Sequence, residues 1–265
     1  MGNILQEILE NRKKSLEDDF KKIENLFNSN KVDRRQPISK FIGIKGDISI
    51  ISEIKPASPT LGNIKTEINV ENIAKEMESA GAIGLSVLTE PNYFHGSFDN
   101  LKLAVNYTKI PCLMKDFVFD ERQFQIANQV GASNILLINC LGNMETLCEY
   151  TNQYQLEPLI EIHDAQELND LEHLNQIGFN LRLVGVNNRD LKTLKTDLDT
   201  SKEIIPHIKE KIGDNIYIIS ESGIETKKDI EYLLTYKADA FLIGSSIMKN
   251  KNIKQKIMEL RGIAC

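Results

Sequence analysis

The sequence of 265 residues lacks the marks of several broad protein classes. No apolar run approaches the roughly 20 residues that a membrane-spanning helix needs, and the charged N-terminus lacks the apolar core of a signal peptide. A basic excess is also missing, because the net charge is −6 and lysines alternate with acids, as in NRKKSLEDDFKKIE. We therefore expect a protein that binds neither a membrane nor nucleic acid.

Cysteine and histidine are scarce and lack the spacings of metal sites. The four cysteines show no CxxC motif, and the four histidines show no HxxxH or HExxH motif. Zinc sites usually need such spacings, so we expect no bound metal. Unpaired cysteines in a chain of this length are typical of a reducing cytoplasm, which is where we expect the protein.

What the sequence does contain is a regular alternation of short apolar runs and helical patterns. The runs recur roughly every 20 to 35 residues, the size of a βα unit. Several are apolar almost throughout, as parallel strands covered on both faces should be. The eight predicted strands are Ile48–Ile54, Ile83–Leu88, Pro111–Lys115, Asn134–Ile138, Pro158–Ile162, Leu183–Asn187, Ile216–Ser220 and Ala240–Gly244.

The segments between the strands predict helices with clear ends. DERQFQIANQVG starts at a capping Asp120 and stops at Gly131. TKKDIEYLLTYKA opens with the capping-box spacing of Thr226 and Asp229. Eight strand–helix repeats over about 220 residues favour an α/β protein with a closed (β/α)8 barrel, or TIM barrel. The alternative is an open doubly wound sheet, but no GxGxxG motif follows the first strand.

Residues 1–45 precede the barrel and predict an extra helical segment. ILQEILENRKKSLEDDFKKIENLF is amphipathic, and FNSNKVDRRQP has the composition of a loop. We expect the helix to pack on the barrel and residues 1–265 to form one domain. The apolar positions of this helix are Ile4, Ile8, Leu16, Phe20, Ile23 and Phe27.

Polar residues end many of the predicted strands, and the C-terminal ends of barrel strands carry the chemistry of this fold. Side chains alternate along a strand, so Glu53 and Lys55 share one face. Any single charge at a strand end is commonly just the first solvated loop residue. Taken alone, Glu53 and Lys55 fit a structural ion pair, and Asn187 fits a residue of a turn. Burying the whole set without function would give no net gain in stability. The set is Glu53, Lys55, Lys115, Glu161, Asn187, Arg189, Glu221 and Ser222.

The last two strands end in small residues that suit an anion. ESGI contains Gly223, and GSS contains Gly244 and Ser245. Backbone N–H groups in such turns can cradle phosphate, and the loops after strands seven and eight are its usual place in this fold. Ordinary tight turns are the alternative. Lys55 is within reach of the same phosphate across a closed barrel.

Seven stretches combine these residues in one order: SEIKPASPTLG, SVLTEPNYFHGSFDNL, PCLMKDF, LIEIHDA, GVNNRDL, ISESGI and FLIGSSIM. Together, from about residue 3 to 262, they resemble the indole-3-glycerol phosphate synthase family of tryptophan biosynthesis. The resemblance implies conversion of 1-(2-carboxyphenylamino)-1-deoxyribulose 5-phosphate to indole-3-glycerol phosphate, with release of CO₂ and water. It also implies that no metal or organic cofactor takes part.

The resemblance implies roles for four residues. Lys115 is the implied general acid, which protonates the ribulose carbonyl while the aromatic ring carbon attacks it. Glu161 is the implied general base, and Glu53 and Lys55 are implied partners in dehydration, with Lys55 also near phosphate. The division of the later acid and base roles stays open. On physical grounds we expect neighbouring cations and a low dielectric to lower the pKa of Lys115.

The remaining implied roles concern binding. Phe94 and Phe117 should pack against the anthranilate ring, and Ser58 should contribute to the pocket. The sugar hydroxyls and the carboxylate fall to Asn187, Arg189, Glu221 and Ser222, and the phosphate to Gly223, Gly244 and Ser245, with Lys55.

The first loop departs from the family pattern. Pro56 and Leu61 stand where the family often has a basic residue, and Thr60 where it often has serine. The sequence ends after one barrel, so we expect a chain that is not fused to phosphoribosylanthranilate isomerase, and we take a monomer as the working expectation. The alternatives are another phosphosugar-processing TIM barrel, such as that isomerase, which would resemble a barrel with a cysteine ending its first strand, and a non-catalytic phosphate-binding barrel.

Overall fold

The computed structural model describes residues 4–23, 35–44, 47–65 and 67–263. Eight barrel strands alternate with helices along this chain, and the loop after the first of them contains a two-stranded antiparallel ribbon, Ala57–Ser58 with Gly62–Asn63. The barrel strands are β1 (Ile50–Ile54), β2 (Gly84–Leu88), β3 (Cys112–Lys115), β4 (Asn134–Ile138), β5 (Glu157–Ile162), β6 (Leu183–Asn187), β7 (Tyr217–Glu221) and β8 (Ala240–Ile243). The helices are α1 (Ile4–Ile23), α2 (Val70–Ser79), α3 (Phe98–Tyr107), α4 (Glu121–Val130), α5 (Met144–Gln153), α6 (Leu168–Gln176), α7 (Asp199–Ile212), α8 (Lys227–Thr235), α9 (Ser245–Met248) and α10 (Ile253–Arg261).

The eight strands form a closed parallel barrel in chain order, with β8 pairing back onto β1. Ile51 of β1 stands opposite Leu242 of β8 on one side and Gly84 of β2 on the other. The predicted TIM barrel is therefore confirmed, and every predicted strand is present with ends within two residues of those expected. An open doubly wound sheet is excluded because the ring has no edge strand among the described residues.

The predicted helix ends are confirmed by their capping groups. The Asp120 side chain accepts from the Arg122 N–H, and Gly131 ends α4 in the left-handed conformation at φ 93°. Thr226 and Asp229 form the reciprocal capping box of α8. These contacts satisfy backbone groups that have no partner within the helix, so each helix stops where the next strand must begin.

Alternation along the strands separates two cores. Ile51, Leu113, Leu159 and Ile219 point into the barrel and are fully buried, whereas Ile50 and its equivalents pack against the surrounding helices. Because side chains two apart share a face, the interior position that follows Ile51 is Glu53. The apolar interior thus leads directly to the polar residues at the C-terminal end of the strands, which we call the mouth.

The N-terminal end of the strands, which we call the floor, is sealed by polar contacts. Glu157 accepts hydrogen bonds from the Ser39 backbone N–H at 3.2 Å and from Asn134 Nδ2 at 2.9 Å. Asn134 in turn accepts from the Ile38 N–H at 3.0 Å. A single 3-10 turn, Ile38–Lys40, therefore closes the floor with its buried polar groups paired.

Helix α1 packs on the barrel through an apolar stripe and a buried ion pair. Ile8, Leu16 and Phe20 are buried, as the amphipathic pattern predicts. Arg12 is fully buried and donates to Asp116 from Nε at 2.8 Å and from Nη2 at 2.7 Å. The Ile23 side chain, Phe27 and most of the predicted loop over residues 27–37 lie outside the described part. Within that part no helix is both long and apolar enough to cross a membrane.

Candidate active site

A cavity of about 380 Å³ opens at the mouth of the barrel. Its wall includes side chains or turns from all eight strand ends and from the first loop. Twelve of the fourteen predicted site residues line it: Glu53, Lys55, Phe94, Lys115, Phe117, Glu161, Asn187, Arg189, Ser222, Gly223, Gly244 and Ser245.

Four charged side chains form one layer at the bottom of this cavity. Lys115 Nζ lies 2.7 Å from Glu221 Oε2, 3.5 Å from Glu161 Oε2 and 3.8 Å from Glu53 Oε1. These residues come from β1, β3, β5 and β7, and alternate strands contribute the four side chains of each layer in this fold. The layer stands directly above the apolar layer of Ile51 and its equivalents, two residues earlier on each strand.

The carboxylates around Lys115 correct one expectation. We expected neighbouring cations and a lowered pKa, but the charges facing Lys115 are negative. Burial lowers the pKa of Lys115, and the attraction of Glu221, Glu161 and Glu53 outweighs burial and raises it above its ordinary value. The ammonium group therefore holds its proton at neutral pH.

The three carboxylates do not share one protonation behaviour. Burial raises the pKa of Glu221 to about 8, with Glu161 adding to the effect and Lys115 opposing it. Burial also acts on Glu161, but Lys115 and His163 hold the pKa of this carboxyl well below its usual range. Lys55 and Lys115 likewise outweigh burial and lower the pKa of Glu53. Environments that separate the pKa values of neighbouring carboxyls are typical of acid–base sites.

Glu53 and Lys55 form an ion pair inside the mouth. Lys55 Nζ lies 2.7 Å from Glu53 Oε2, and the Glu53 side chain is 3% exposed. Gly244 packs closely against this pair, because a Cβ there would overlap the Glu53 carboxylate unless that side chain moved. The predicted sharing of one face by Glu53 and Lys55 is confirmed by this contact.

The turn after β7 is shaped for a close backbone approach. Ser222 has φ 69° and Gly223 has φ 80°, so both lie in the left-handed region. A Cβ on Gly223 would lie 2.6 Å from Thr196 Cγ2 of the preceding loop. Gly244 and Ser245 follow the neighbouring strand, which pairs with β7, and they line the cavity together with this turn and Lys249.

Two phenylalanines form the apolar side of the cavity. The rings of Phe94 and Phe117 have centroids 6.3 Å apart and are tilted by 46°. Opposite them, Arg189 is held by the Leu194 carbonyl, which accepts from Nη1 at 3.0 Å. Its backbone N–H donates to Asn187 Oδ1 at 3.0 Å. The cavity thus offers an aromatic clamp, a guanidinium and an amide around the charged layer.

Two predicted site residues do not line the cavity. Glu221 is fully buried and contacts the site through Lys115, which donates to it. Ser58 is turned into its own loop, where its Oγ accepts from the Leu61 N–H at 3.3 Å. The loop itself does border the cavity, through Thr60 and Leu61.

Comparison with known proteins adds the deciding observation. The family model for indole-3-glycerol phosphate synthase matches residues 5–260. The chain is 41% identical to the indole-3-glycerol phosphate synthase of Methanocaldococcus jannaschii, over 97% of this chain and 98% of that protein. The enzyme of the same name from Acetivibrio thermocellus is 35% identical, over 98% and 100%.

This chain belongs to the indole-3-glycerol phosphate synthase family. The more distant solved structures show the fold alone. An N-acetylmannosamine-6-phosphate 2-epimerase from Clostridium perfringens superposes with a TM-score of 0.61 at 13% identity, covering 88% of this chain and 100% of that one. A mutant tryptophan synthase alpha-subunit from Pyrococcus furiosus has the same score at 16% identity, covering 82% and 99%.

Sequence reasoning missed two carboxylates that hold this family member's aromatic clamp. Glu90 is fully buried, and its Oε2 accepts from the N–H groups of Tyr93 at 2.7 Å and Phe94 at 3.0 Å. Asp116 Oδ1 accepts from the Phe117 N–H at 2.8 Å. A usable signal was present, because each acid lies one or two residues past a strand end and precedes a phenylalanine by one to four residues.

Proposed function

We propose that this chain catalyses ring closure, decarboxylation and dehydration of 1-(2-carboxyphenylamino)-1-deoxyribulose 5-phosphate to indole-3-glycerol phosphate. The observation that carries the proposal is the layer of Lys115 and three glutamates at the mouth of a barrel of this family. Lys115 is protonated at neutral pH, and it donates this proton to the ribulose carbonyl oxygen as the ring carbon attacks.

The carboxylates serve the later steps. Glu161, held ionised by its neighbours, is the base that accepts the proton lost from the newly closed five-membered ring. The adjacent pair of Glu53 and Lys55 assists loss of the hydroxyl group as water. Loss of CO₂ needs no further group, because the electrons of the broken bond return to the ring.

Binding is divided among the walls of the cavity. The aromatic ring lies against Phe94 and Phe117. Asn187, Arg189 and Ser222 contact the carboxylate and the sugar hydroxyls, whereas Glu221 acts by orienting Lys115 and Ser58 by shaping the first loop. The phosphate is bound at the opposite end by Gly223, Gly244, Ser245 and Lys55.

The proposed reaction requires one partner, the phosphorylated substrate, and no metal or organic cofactor. We further propose that residues 1–265 act as one barrel domain, with residues 1–45 as an extension, and as a cytoplasmic monomer. Ring closure is faster when the cavity fixes the open-chain substrate with its aromatic ring next to its own carbonyl group.

The test is an assay of the purified chain with the carboxyphenylamino substrate in the presence of EDTA. We expect the rise in fluorescence that accompanies formation of an indole. No signal at micromolar enzyme would contradict the proposed function. Activity that EDTA abolishes would contradict the metal-free mechanism alone.

A further inference from the structure

His163 stands two residues beyond Glu161, just past the end of β5. Alternation places it on the same side as Glu161, and its Nε2 lies 3.0 Å from Glu161 Oε1. The arrangement repeats the one on β1, where Lys55 follows Glu53 by two residues at 2.7 Å. In a ring of eight strands β1 and β5 are diametrically opposite, so a carboxylate followed by a cationic group faces Lys115 from both sides.

The imidazole is buried between two carboxylates. Its side chain is 9% exposed and Nδ1 lies 3.5 Å from Glu167 Oε1, but neither ring nitrogen has the geometry of a hydrogen bond to a described residue, so both contacts are ionic. Glu167 is fixed in turn, because the same oxygen accepts from the His163 backbone N–H at 3.0 Å. Burial lowers the pKa of His163, but contacts with Cys140, Glu161 and Glu167 outweigh it and raise the pKa to about 12. The ring is thus a cation placed between two carboxylates.

Glu161 needs such a neighbour more than the other two carboxylates do. Glu221 has the shortest contact with Lys115, at 2.7 Å, and Glu53 has Lys55 to itself. Glu161 is 3.5 Å from Lys115, and its Oε2 finds no hydrogen-bond partner among the described residues. The Asn187 amide also faces it but carries no charge. A buried carboxylate with one distant cation is costly, so another positive charge is required to keep it ionised.

We propose that His163 is a positioning residue for the general base: its ring holds the Glu161 carboxylate in place and supplies the positive charge that Lys115 divides among three glutamates. His163 is not among the cavity-lining residues, so it acts through Glu161 and not on the substrate. Glu161 takes and releases the substrate proton while the imidazole keeps its own. This inference rests on the proposed function, because Glu161 is a base only if that reaction occurs.

The test uses two variants of different character. His163→Gln keeps an N–H donor within reach of Glu161, whereas His163→Leu fills the space without a donor or a charge. We expect kcat to fall about 10- to 100-fold in His163→Leu, with KM nearly unchanged. Losses of this size are typical at metal sites when a residue that orients a metal-binding side chain is removed. We expect His163→Gln to recover part of this loss. Thermal melting of both variants establishes that they are folded.

A matched control lies on the outer surface. His173 contacts Glu145 at 2.8 Å on helices α6 and α5, with side chains 53% and 63% exposed. His173→Leu therefore removes a histidine–glutamate pair without touching the mouth, and its kcat should equal that of wild type.

A double variant completes the test. Adding His163→Leu to Glu161→Gln should cause little further loss, because the histidine then has no carboxylate to hold. The inference would be overturned by a wild-type kcat in His163→Leu. It would also be overturned if the fold-loss of kcat in the double variant equalled the product of the losses in the two single variants. Failure of the wild-type chain to form product would instead overturn the proposed function, so the two failures are distinct.

Discussion

Lys115 and Lys209 stand at opposite ends of the barrel, and their side chains are buried to nearly the same extent, with 17% and 16% exposed. At the floor, Lys209 Nζ lies 3.0 Å from one carboxylate, Asp239, and donates to the Ile216 carbonyl at 3.0 Å. At the mouth, Lys115 has three carboxylates within 3.8 Å. Similar burial therefore accompanies two different electrostatic surroundings.

The difference lies in how completely the carboxylates are satisfied. Asp239 Oδ2 at the floor accepts from the Ile218 N–H at 2.7 Å as well as from Lys209. Glu161 Oε2 and Glu221 Oε1 at the mouth are buried without a hydrogen-bond partner among the residues described. Native interiors tolerate few such groups, and those they keep commonly serve chemistry. The floor is built for stability, whereas the mouth holds reactive groups at a cost in stability.

The largest effect that would test this comparison is expected from Lys115→Met. The change keeps an apolar stem of similar length but removes the proton donor, so kcat should fall about 10²–10⁴-fold. Binding of a product analogue should remain measurable, because the walls that contact ring and phosphate are unchanged. Steady-state kinetics and a titration with the analogue measure the two quantities.

Lys209→Met is the matched control for this variant. It removes an equally buried lysine from the floor, so kcat should stay at the wild-type value. If Lys209→Met loses as much kcat as Lys115→Met, the division between mouth and floor is wrong. Turnover near wild type in Lys115→Met would show that another group is the acid.

Arg12→Met tests the ion pair of Arg12 and Asp116. This pair lies near the mouth, but its carboxylate has its hydrogen bonds formed, as Asp239 has at the floor. Asp116 receives hydrogen bonds from Arg12, from the Phe117 N–H at 2.8 Å and from the Thr89 hydroxyl. Removing the arginine leaves a buried carboxylate without its cation, which typically costs about 3–5 kcal/mol of unfolding free energy. Urea unfolding of the variant measures this loss.

A second change distinguishes lost charge from lost packing. Adding Asp116→Asn to Arg12→Met removes the uncompensated charge, so the double variant should recover part of the stability. A double variant no more stable than the single one would mean that the loss comes from the packing of Arg12 over Phe98, whose ring centroid lies 5.5 Å from the guanidinium carbon.

The barrel and most of its site could be predicted because both follow from local rules. Buried parallel strands appear as apolar runs, and the residue that ends each run lies at the mouth. The sign of the charge around Lys115 could not be found in this way. It depends on which strands face each other across the barrel. The alternation of side chains along one strand does not say how close residues on different strands lie. The rule that alternate strands share a layer would have grouped Lys115 with Glu53, Glu161 and Glu221.

The effect expected from Glu221→Gln is the smallest at any single step of pH, because it concerns a single proton. Burial raises the pKa of Glu221 from 4.5 to about 8, so the folded chain binds a proton there that the unfolded chain has released. The stabilisation from this proton is complete below about pH 4.5 and is lost as the pH rises through about 8. Over this window wild-type stability should fall relative to the variant by at most about 1.4 kcal/mol per pH unit.

Unfolding of both proteins by urea from pH 5 to pH 8 tests this slope. The stability of Glu221→Gln, measured relative to wild type, should rise steadily across the range, since the amide has no proton to lose. A constant difference would mean that Glu221 is ionised throughout. Lys115 would then face a full negative charge on all three glutamates. The mouth would differ from the floor in charge even more than the raised pKa of Glu221 indicates, because no proton would reduce the repulsion between Glu221 and Glu161.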